Sequence, residues 1–270
     1  MGVTDSLRHI RRAQYEAHEN CRLDRLQHHA GRLDTDDDGS VLGVTEGSVH
    51  IGPVSDAIEG SGVIVTHVVD VNNFSEIEAS HTFNVEITQD DSFSVSVRVD
   101  DNMVEHLRVK RTESKLQFGL KDGSYNNITL EASVVVPDLD YLDVNGVSRV
   151  EVLGFELDHD LELDCSGASR ISETVHVTEL EIDVSGASQL LIEGSASRLE
   201  LDGGGASSAG LKDFPVATAD AHLSGASSAT LRVQETLEVT ASGASRLSFH
   251  GTPSPGRVST SGASTITSLD

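Results

Sequence analysis

Between Val63 and Val136 the chain alternates apolar and polar residues in short runs. These are Val63-Ile64-Val65, Phe83-Asn84-Val85-Glu86-Ile87, Phe93 to Val99, Leu107-Arg108-Val109, Leu116-Gln117-Phe118 and Ile128-Thr129-Leu130. Period two sends successive side chains to opposite faces, so the runs predict short, half-buried strands. Lys121-Asp122-Gly123-Ser124 reads as a turn between two of them. The period differs at the start of the chain. Leu7, Ile10, Ala13, Ala17 and Cys21, then Leu23, Leu26, Ala30 and Leu33, follow i, i+3, i+4 spacing. That predicts a short amphipathic helical arm within residues 1–33. Residues 34–62, rich in Asp, Gly and Ser, read as a linker, and residues 63–270 as the main β-domain.

From residue 137 onward the chain repeats. Asn145-Gly146-Val147-Ser148 is followed by Ser166-Gly167-Ala168-Ser169, Ser185-Gly186-Ala187-Ser188 and Gly204-Gly205-Ala206-Ser207. Ser224-Gly225-Ala226-Ser227, Ser242-Gly243-Ala244-Ser245 and Ser261-Gly262-Ala263-Ser264 complete the set. The central Gly recurs at steps of 21, 19, 19, 20, 18 and 19 residues. Alternating runs flank the copies, such as Leu180 to Val184 before one and Gln189 to Ile192 after it. So regular a step predicts one coil of a β-solenoid per copy. Two or three short strands at ~3.3 Å per residue, plus corners, use up that length, and coils stacked ~4.8 Å apart turn equivalent positions into ladders. Apolar positions then fill the interior. Gly supplies backbone freedom at the corner, Ala and Ser are small enough to stack, and Ser hydroxyls can bond neighbouring coils. The outward positions Glu162, Asp164, Glu181, Asp183, Glu200, Asp202 and Asp220 predict an acidic stripe.

Charge excludes several partners. The 270 residues include 44 acids and 19 bases, a net charge of -25. Residues 1–32 run the other way, with six Arg against four acids. Nucleic-acid binding would need basic patches or aromatic stacking platforms, and aromatics make up only 4 % of the chain, with no Trp. An anionic membrane surface would repel it. No apolar run approaches the ~20 residues of a membrane span. Ser6 to Arg12 passes straight into polar sequence, so no signal peptide is expected there. Cys21 and Cys165 form no disulfide framework and no thiolate metal pair.

Asp34-Thr35-Asp36-Asp37-Asp38-Gly39-Ser40 has the opening of a calcium loop, with Asp34, Asp36, Asp38 and Ser40 as oxygen donors. Thr45 stands where such a loop carries a bidentate Glu, and Glu46 comes one residue late, so a solvated acidic linker is the competing reading. His28 and His29, with His9 and His18, lack metal-ligand spacing and read as a solvated helix face. Asp100-Asp101-Asn102 is either an acidic site or turn chemistry. None of the Ser-Gly-Ala-Ser copies fits the Gly-x-Ser-x-Gly elbow of a serine nucleophile, so a structural role is expected for them. No catalytic residue and no cofactor are expected.

One set of ordered motifs resembles a known family. Gly60-Ser61-Gly62-Val63-Ile64-Val65, Val71-Asn72-Asn73-Phe74-Ser75-Glu76-Ile77, Val85-Glu86-Ile87-Thr88-Gln89, Val99-Asp100-Asp101-Asn102-Met103-Val104 and Pro137-Asp138-Leu139, followed by the Ser-Gly-Ala-Ser coils, are similar to the head GIN domain family of auto-transporter adhesins. The resemblance covers about residues 60–270. It implies an all-β fold, a right-handed parallel β-helix with an irregular N-terminal β-region, and an envelope or extracellular location. It brings no catalytic residues. It also implies a signal peptide or lipobox before Gly60, yet residues 41–59 are polar and no Cys stands near. Either the export signal has been lost, or residues 1–55 are an unusual extension that the mature protein need not contain, or they reflect a wrongly chosen start.

These readings converge on a non-enzymatic surface or envelope protein that offers a long acidic, Ser/Ala-rich face to an unidentified protein or glycan. A cytoplasmic, bactofilin-like scaffold that stacks end to end into homo-oligomers is the alternative. A polysaccharide-active enzyme is the remote one, because the acids recur with the coil and do not gather as a catalytic pair.

Overall fold

The computed structural model describes residues 57–270, together with a short backbone pairing before them. The chain divides into two units, Met1–Asp56 and Ala57–Asp270. Of the first unit, only the antiparallel pairing of Asp34–Thr35 with Val41–Leu42 is described. The helical arm expected over residues 1–33 lies outside the described residues.

The second unit is a stack of β-coils started by an antiparallel region. Ile64–Val69 pairs antiparallel with Ser94–Asp100, which pairs antiparallel with Leu130–Val136. Asn84–Gln89 then lies parallel between Leu130–Val136 and Arg149–Glu156. From there every added strand is parallel: Arg170–His176, then the first parts of Gln189–Gly203, of Ser208–Leu223 and of Ser228–Ala241, whose later parts continue the second wall. This is the first wall. The second wall begins with Leu107–Thr112 antiparallel to Lys115–Leu120. It continues in parallel through Glu76–Ala79, Tyr141–Val144, Leu161–Cys165 and Glu179–Val184. The alternation read from the sequence builds both walls, and the parallel β-solenoid it predicts is the observed fold.

Parallel in-register stacking turns each inward position into a column. In the second wall Ile77, Leu142, Leu163, Ile182, Leu201, Ala221 and Val239 follow one another. In the first wall Val85, Val150, Ile171, Leu190, Ala209, Ala229 and Leu247 do the same. All of them are buried. One column breaks the rule. Glu173 stands between Val152 and Ile192, is 2 % exposed, and neither of its carboxylate oxygens has a hydrogen-bond partner.

The seven corners join the second wall to the first. Each central Gly has φ between 66° and 77°. The amide that follows it donates to the carbonyl of the corner Gly one coil back, as Ala168 does to Gly146 at 2.8 Å and Ala187 to Gly167 at 2.7 Å. The fourth residue of each copy turns inward, and Ser148, Ser169, Ser188, Ser207, Ser227 and Ser245 are buried. Several of these hydroxyls hold carbonyls of the adjacent coil: Ser169 donates to Val144 at 2.9 Å and Ser207 to Val184 at 3.2 Å. The ladder also has a rung that the repeat did not reveal. His81, at φ 70°, takes the Gly position before Gly146, and the Val147 amide donates to its carbonyl at 2.7 Å. His is among the side chains that tolerate this left-handed region best.

The Asp100-Asp101-Asn102 segment belongs to the antiparallel starter, where turn chemistry accounts for it. The buried Asp100 carboxylate accepts from the amides of Gly62 and Thr129, both at 2.7 Å. The Ser61 hydroxyl donates to Asp101 at 2.6 Å, and the Ser61 amide to Asn102 at 3.1 Å. The amide of Thr129 above all, against the opposing effect of burial, holds the Asp100 carboxyl below its ordinary pKa. The Gly60-Ser61-Gly62 motif is thus pinned to the Asp-Asp-Asn motif. Asp100→Ala should cost about 2–3 kcal/mol at pH 7, the range for a hydrogen-bonded buried charge. A depressed pKa gives stability that is present above the ordinary carboxylate value and lost as pH falls through the lower folded one. The gap between parent and variant in urea midpoint should therefore narrow in strong acid.

Candidate functional site

The outward residues of the second wall form two adjacent columns. Glu76, Tyr141, Glu162, Glu181, Glu200, Asp220 and Glu238 follow one another in the first, and Glu78, Asp143, Asp164, Asp183, Asp202 and His222 in the second. All the acids expected on one stripe are here. The cause is alternation: positions two apart on one strand share a face, and coil stacking repeats them. Charges about one coil apart repel by about 1 kcal/mol in open water and several times that near a protein surface. The pKa values respond. Burial, and then the neighbouring carboxylates, hold Asp143, Glu162 and Asp183 above their ordinary range.

Few cations relieve this wall. Lys115 Nζ sits 3.7 Å from Glu76 and 4.4 Å above the Tyr141 ring, at the end nearest the antiparallel starter. The Tyr141 hydroxyl donates to Asp164, and burial together with that carboxylate pushes the phenol pKa up. Arg198 lies between Glu179 at 3.8 Å and Glu200 at 3.6 Å. His222 Nδ1 stands 3.8 Å from both Asp202 and Asp220. The first wall carries Arg instead. Arg98 pairs with Glu131, Arg149 and Arg170 occupy stacked outward positions, and Arg170 donates to Gln189.

A second group lies on the turns that lead into the acidic wall. Asp138, Asp140 and His159 each place one donor atom within 4.8 Å of the others. His159 Nε2 is 2.7 Å from Asp138 Oδ1, and Nδ1 is 2.8 Å from the Asp160 carbonyl and 3.6 Å from Asp140 Oδ1. Burial opposes the charged ring, but the hydrogen bonds to Asp138 and Asp160 outweigh it and raise the His159 pKa. These residues lie outside the Gly-centred repeat. Their signal is the 21-residue step of this coil, which carries Asp138 onto His159.

The calcium-loop residues Asp34, Asp36, Asp38 and Ser40 lie outside the residues whose side chains are described, as do His9, His18, His28, His29 and Cys21. Cys165 is a free, buried thiol in the interior of the second wall, 3.2 Å from the Ser169 hydroxyl, and burial raises its pKa. Among the described residues no helix is long and apolar enough to cross a membrane.

A family profile described as "Putative auto-transporter adhesin, head GIN domain" matches residues 73–253. The chain belongs to the head GIN domain family. The match takes in all of the antiparallel starter but Ile64–Val69, and the coils as far as residue 253, so it spans both walls. No curated protein matches the chain. Solved structures share the fold of this head GIN chain. A "putative adhesin" from Bacteroides fragilis superimposes with a TM-score of 0.74 at 19 % identity, covering 79 % of this chain and 100 % of its own. One from Parabacteroides merdae gives 0.64 at 15 % identity, covering 80 % and 100 %. A "putative lipid binding protein" from Parabacteroides distasonis gives 0.65 at 14 % identity, covering 79 % and 100 %. At these identities the likeness concerns the fold.

Proposed function

We propose that this head GIN chain is a non-enzymatic binding protein of the cell envelope or surface, and that its second wall is the surface that meets the partner. The single observation that carries the reading is the pair of stacked carboxylate columns running from Glu78 and Glu162 to Asp202 and Glu238. A rigid solenoid presents such a surface already ordered, so little conformational entropy is lost on binding. The chemistry fits a partner that brings closely spaced positive charges, such as a basic protein segment. The family and two of the solved structures are described as "putative" adhesins, which supports the surface location and the absence of catalysis. The acids form continuous columns without an isolated pair across a cleft, which also favours binding over glycan hydrolysis.

The test is adhesion of cells displaying the chain to host cells and extracellular matrix. Glu162→Gln, Glu181→Gln and Glu200→Gln combined should weaken attachment, and added salt should weaken that of the parent. Attachment unchanged by the triple variant and by deletion of the whole chain would count against the reading.

The same columns make a stability prediction. The screening length falls from ~10 Å at 0.1 M salt to ~3 Å at 1 M, below the ~4.8 Å between coils. The melting temperature should therefore rise with sodium chloride and rise further with magnesium or calcium at equal ionic strength. A melting temperature indifferent to both would show that the wall does not repel itself.

A further inference from the structure

We propose that Asp138, Asp140 and His159 form a binding site for one divalent transition-metal ion of the zinc or cobalt type. The three donor atoms lie within 4.8 Å of one another and come from two consecutive turns, residues 137–140 and 157–160. Stacking of the coils brings them together: the Glu162 amide donates to the backbone carbonyl of Asp140 at 3.1 Å, and the His159 carbonyl in turn accepts from the Thr178 amide of the following turn at 3.1 Å. A site made this way is held by the solenoid and not by one loop.

The histidine supplies the specific argument. Nδ1 lies 2.8 Å from the Asp160 carbonyl oxygen, which can only accept, so Nδ1 carries a proton and donates it. That leaves Nε2 facing Asp138 Oδ1 at 2.7 Å. A ring lone pair and a carboxylate oxygen do not face each other so closely without a cation between them. A proton fills this role in the free protein, and a metal ion is the other candidate. Metal-bound histidines usually donate their other ring N–H to a carbonyl or carboxylate, which fixes the tautomer and the ring orientation. His159 already has this arrangement.

The donor set also selects the ion. One imidazole and two carboxylates suit zinc and its first-row neighbours. Calcium takes six to eight oxygen ligands, of order twice what this group offers, and has no use for the imidazole. Asp138 and Asp140 are about half exposed, at 50 % and 54 %, so both side chains can close from the present spacing to the ~2.0–2.2 Å of metal–oxygen bonds. Three protein donors leave coordination positions open to water or to a donor from elsewhere. The site uses none of the carboxylates in the two wall columns, so it stands or falls independently of the proposed partner surface.

The experiment is calorimetric titration of the full chain with zinc chloride, with cobalt chloride as a spectroscopic substitute. It compares the parent with His159→Gln and with Asp138→Asn/Asp140→Asn. One zinc equivalent should disappear in both variants, or bind roughly tenfold to a hundredfold more weakly, the usual range for a damaged metal site. The cobalt absorption of that equivalent should disappear with it, and calcium at the same concentration should not displace the zinc. Histidines near the N-terminus add the same background to all three proteins, so the difference assigns the site. Melting curves without metal check that the variants fold. If His159→Gln fails to fold, the doubly amidated variant, which keeps side-chain size, decides the question. Equal zinc stoichiometry and affinity in parent and folded variants, no zinc bound by the parent, or displacement by equimolar calcium would each overturn the proposal.

Discussion

Replacing Glu173 with leucine should stabilise the protein, and most strongly in alkaline solution. Glu173 occupies an interior column between Val152 and Ile192, with no hydrogen-bond partner for either oxygen. Desolvation alone pushes its carboxyl up to about 8, from an ordinary value of 4.5. A raised acid pKa means that the folded state holds its proton after the unfolded chain has released it. Stability is then fully present below the ordinary value and is lost as pH rises toward the folded one. At 1.36 kcal/mol per unit, that loss is about 3 kcal/mol by pH 7 and somewhat more by pH 8. Leucine has nothing to titrate, and its buried side chain adds about 1.5–3 kcal/mol of transfer free energy over an exposed one. The difference in urea midpoint between Glu173→Leu and the parent should therefore widen steadily from pH 5 to pH 8. Glu173→Gln separates the two effects, because it removes the titration but leaves a polar group buried. Asp143, Glu162 and Asp183 also have raised pKa values and add a slope of the same sign. They do so in every variant, so subtraction isolates Glu173. A parent-minus-variant difference that is flat across this range would mean that the carboxyl finds a partner or water in solution.

The coils were legible in the sequence because their information is local. Gly at 146, 167, 186, 205, 225, 243 and 262 marks each corner, and strict alternation beside it assigns inside and outside. Parity even places Glu173 inward with Ile171 and Val175. What stayed hidden depends on contacts across long separations. His81 sits in the Gly position of the corner ladder, which only the pairing of Asn84–Gln89 with Arg149–Glu156 reveals. The hold of Asp100 on Gly62 and Thr129 joins three segments that share no pattern. Antiparallel and parallel pairing meet at Leu130–Val136, and a period of two is the same for both. The metal-ligand group was readable in principle, since the 21-residue step of that coil carries Asp138 onto His159. His159 gains its meaning only when that step is converted into stacked turns.

Three glycine-to-alanine substitutions should separate backbone conformation from crowding, with Gly194→Ala the most damaging. Gly154 has φ 68°, and an added Cβ would meet nothing within 4 Å. Its alanine variant should lose only the ordinary left-handed penalty of about 1–2 kcal/mol. Gly186 has nearly the same φ, 70°, but its Cβ would fall 2.4 Å from the Gly167 carbonyl oxygen. That carbonyl accepts the Ala187 amide at 2.7 Å, so relieving the clash pulls apart two coils as well as straining one residue. Gly194 combines both problems in their worst form. Its φ of 123° lies where side chains are rarely found, and the added Cβ would stand 1.8 Å from the carbonyl oxygen of Val175, its register partner. Relief requires opening the ladder next to Glu173, where the interior is already weakened. A loss of about 4 kcal/mol or more is expected, in the range that marks a specific structural defect. In a solenoid each coil is held by its neighbours, so the damage should stay local at first. Amide exchange should accelerate most in Arg170–His176 and Gln189–Gly203 and least in the antiparallel starter. Equal destabilisation by Gly154→Ala and Gly194→Ala would show that backbone conformation alone governs these positions and that coil-to-coil contact contributes nothing.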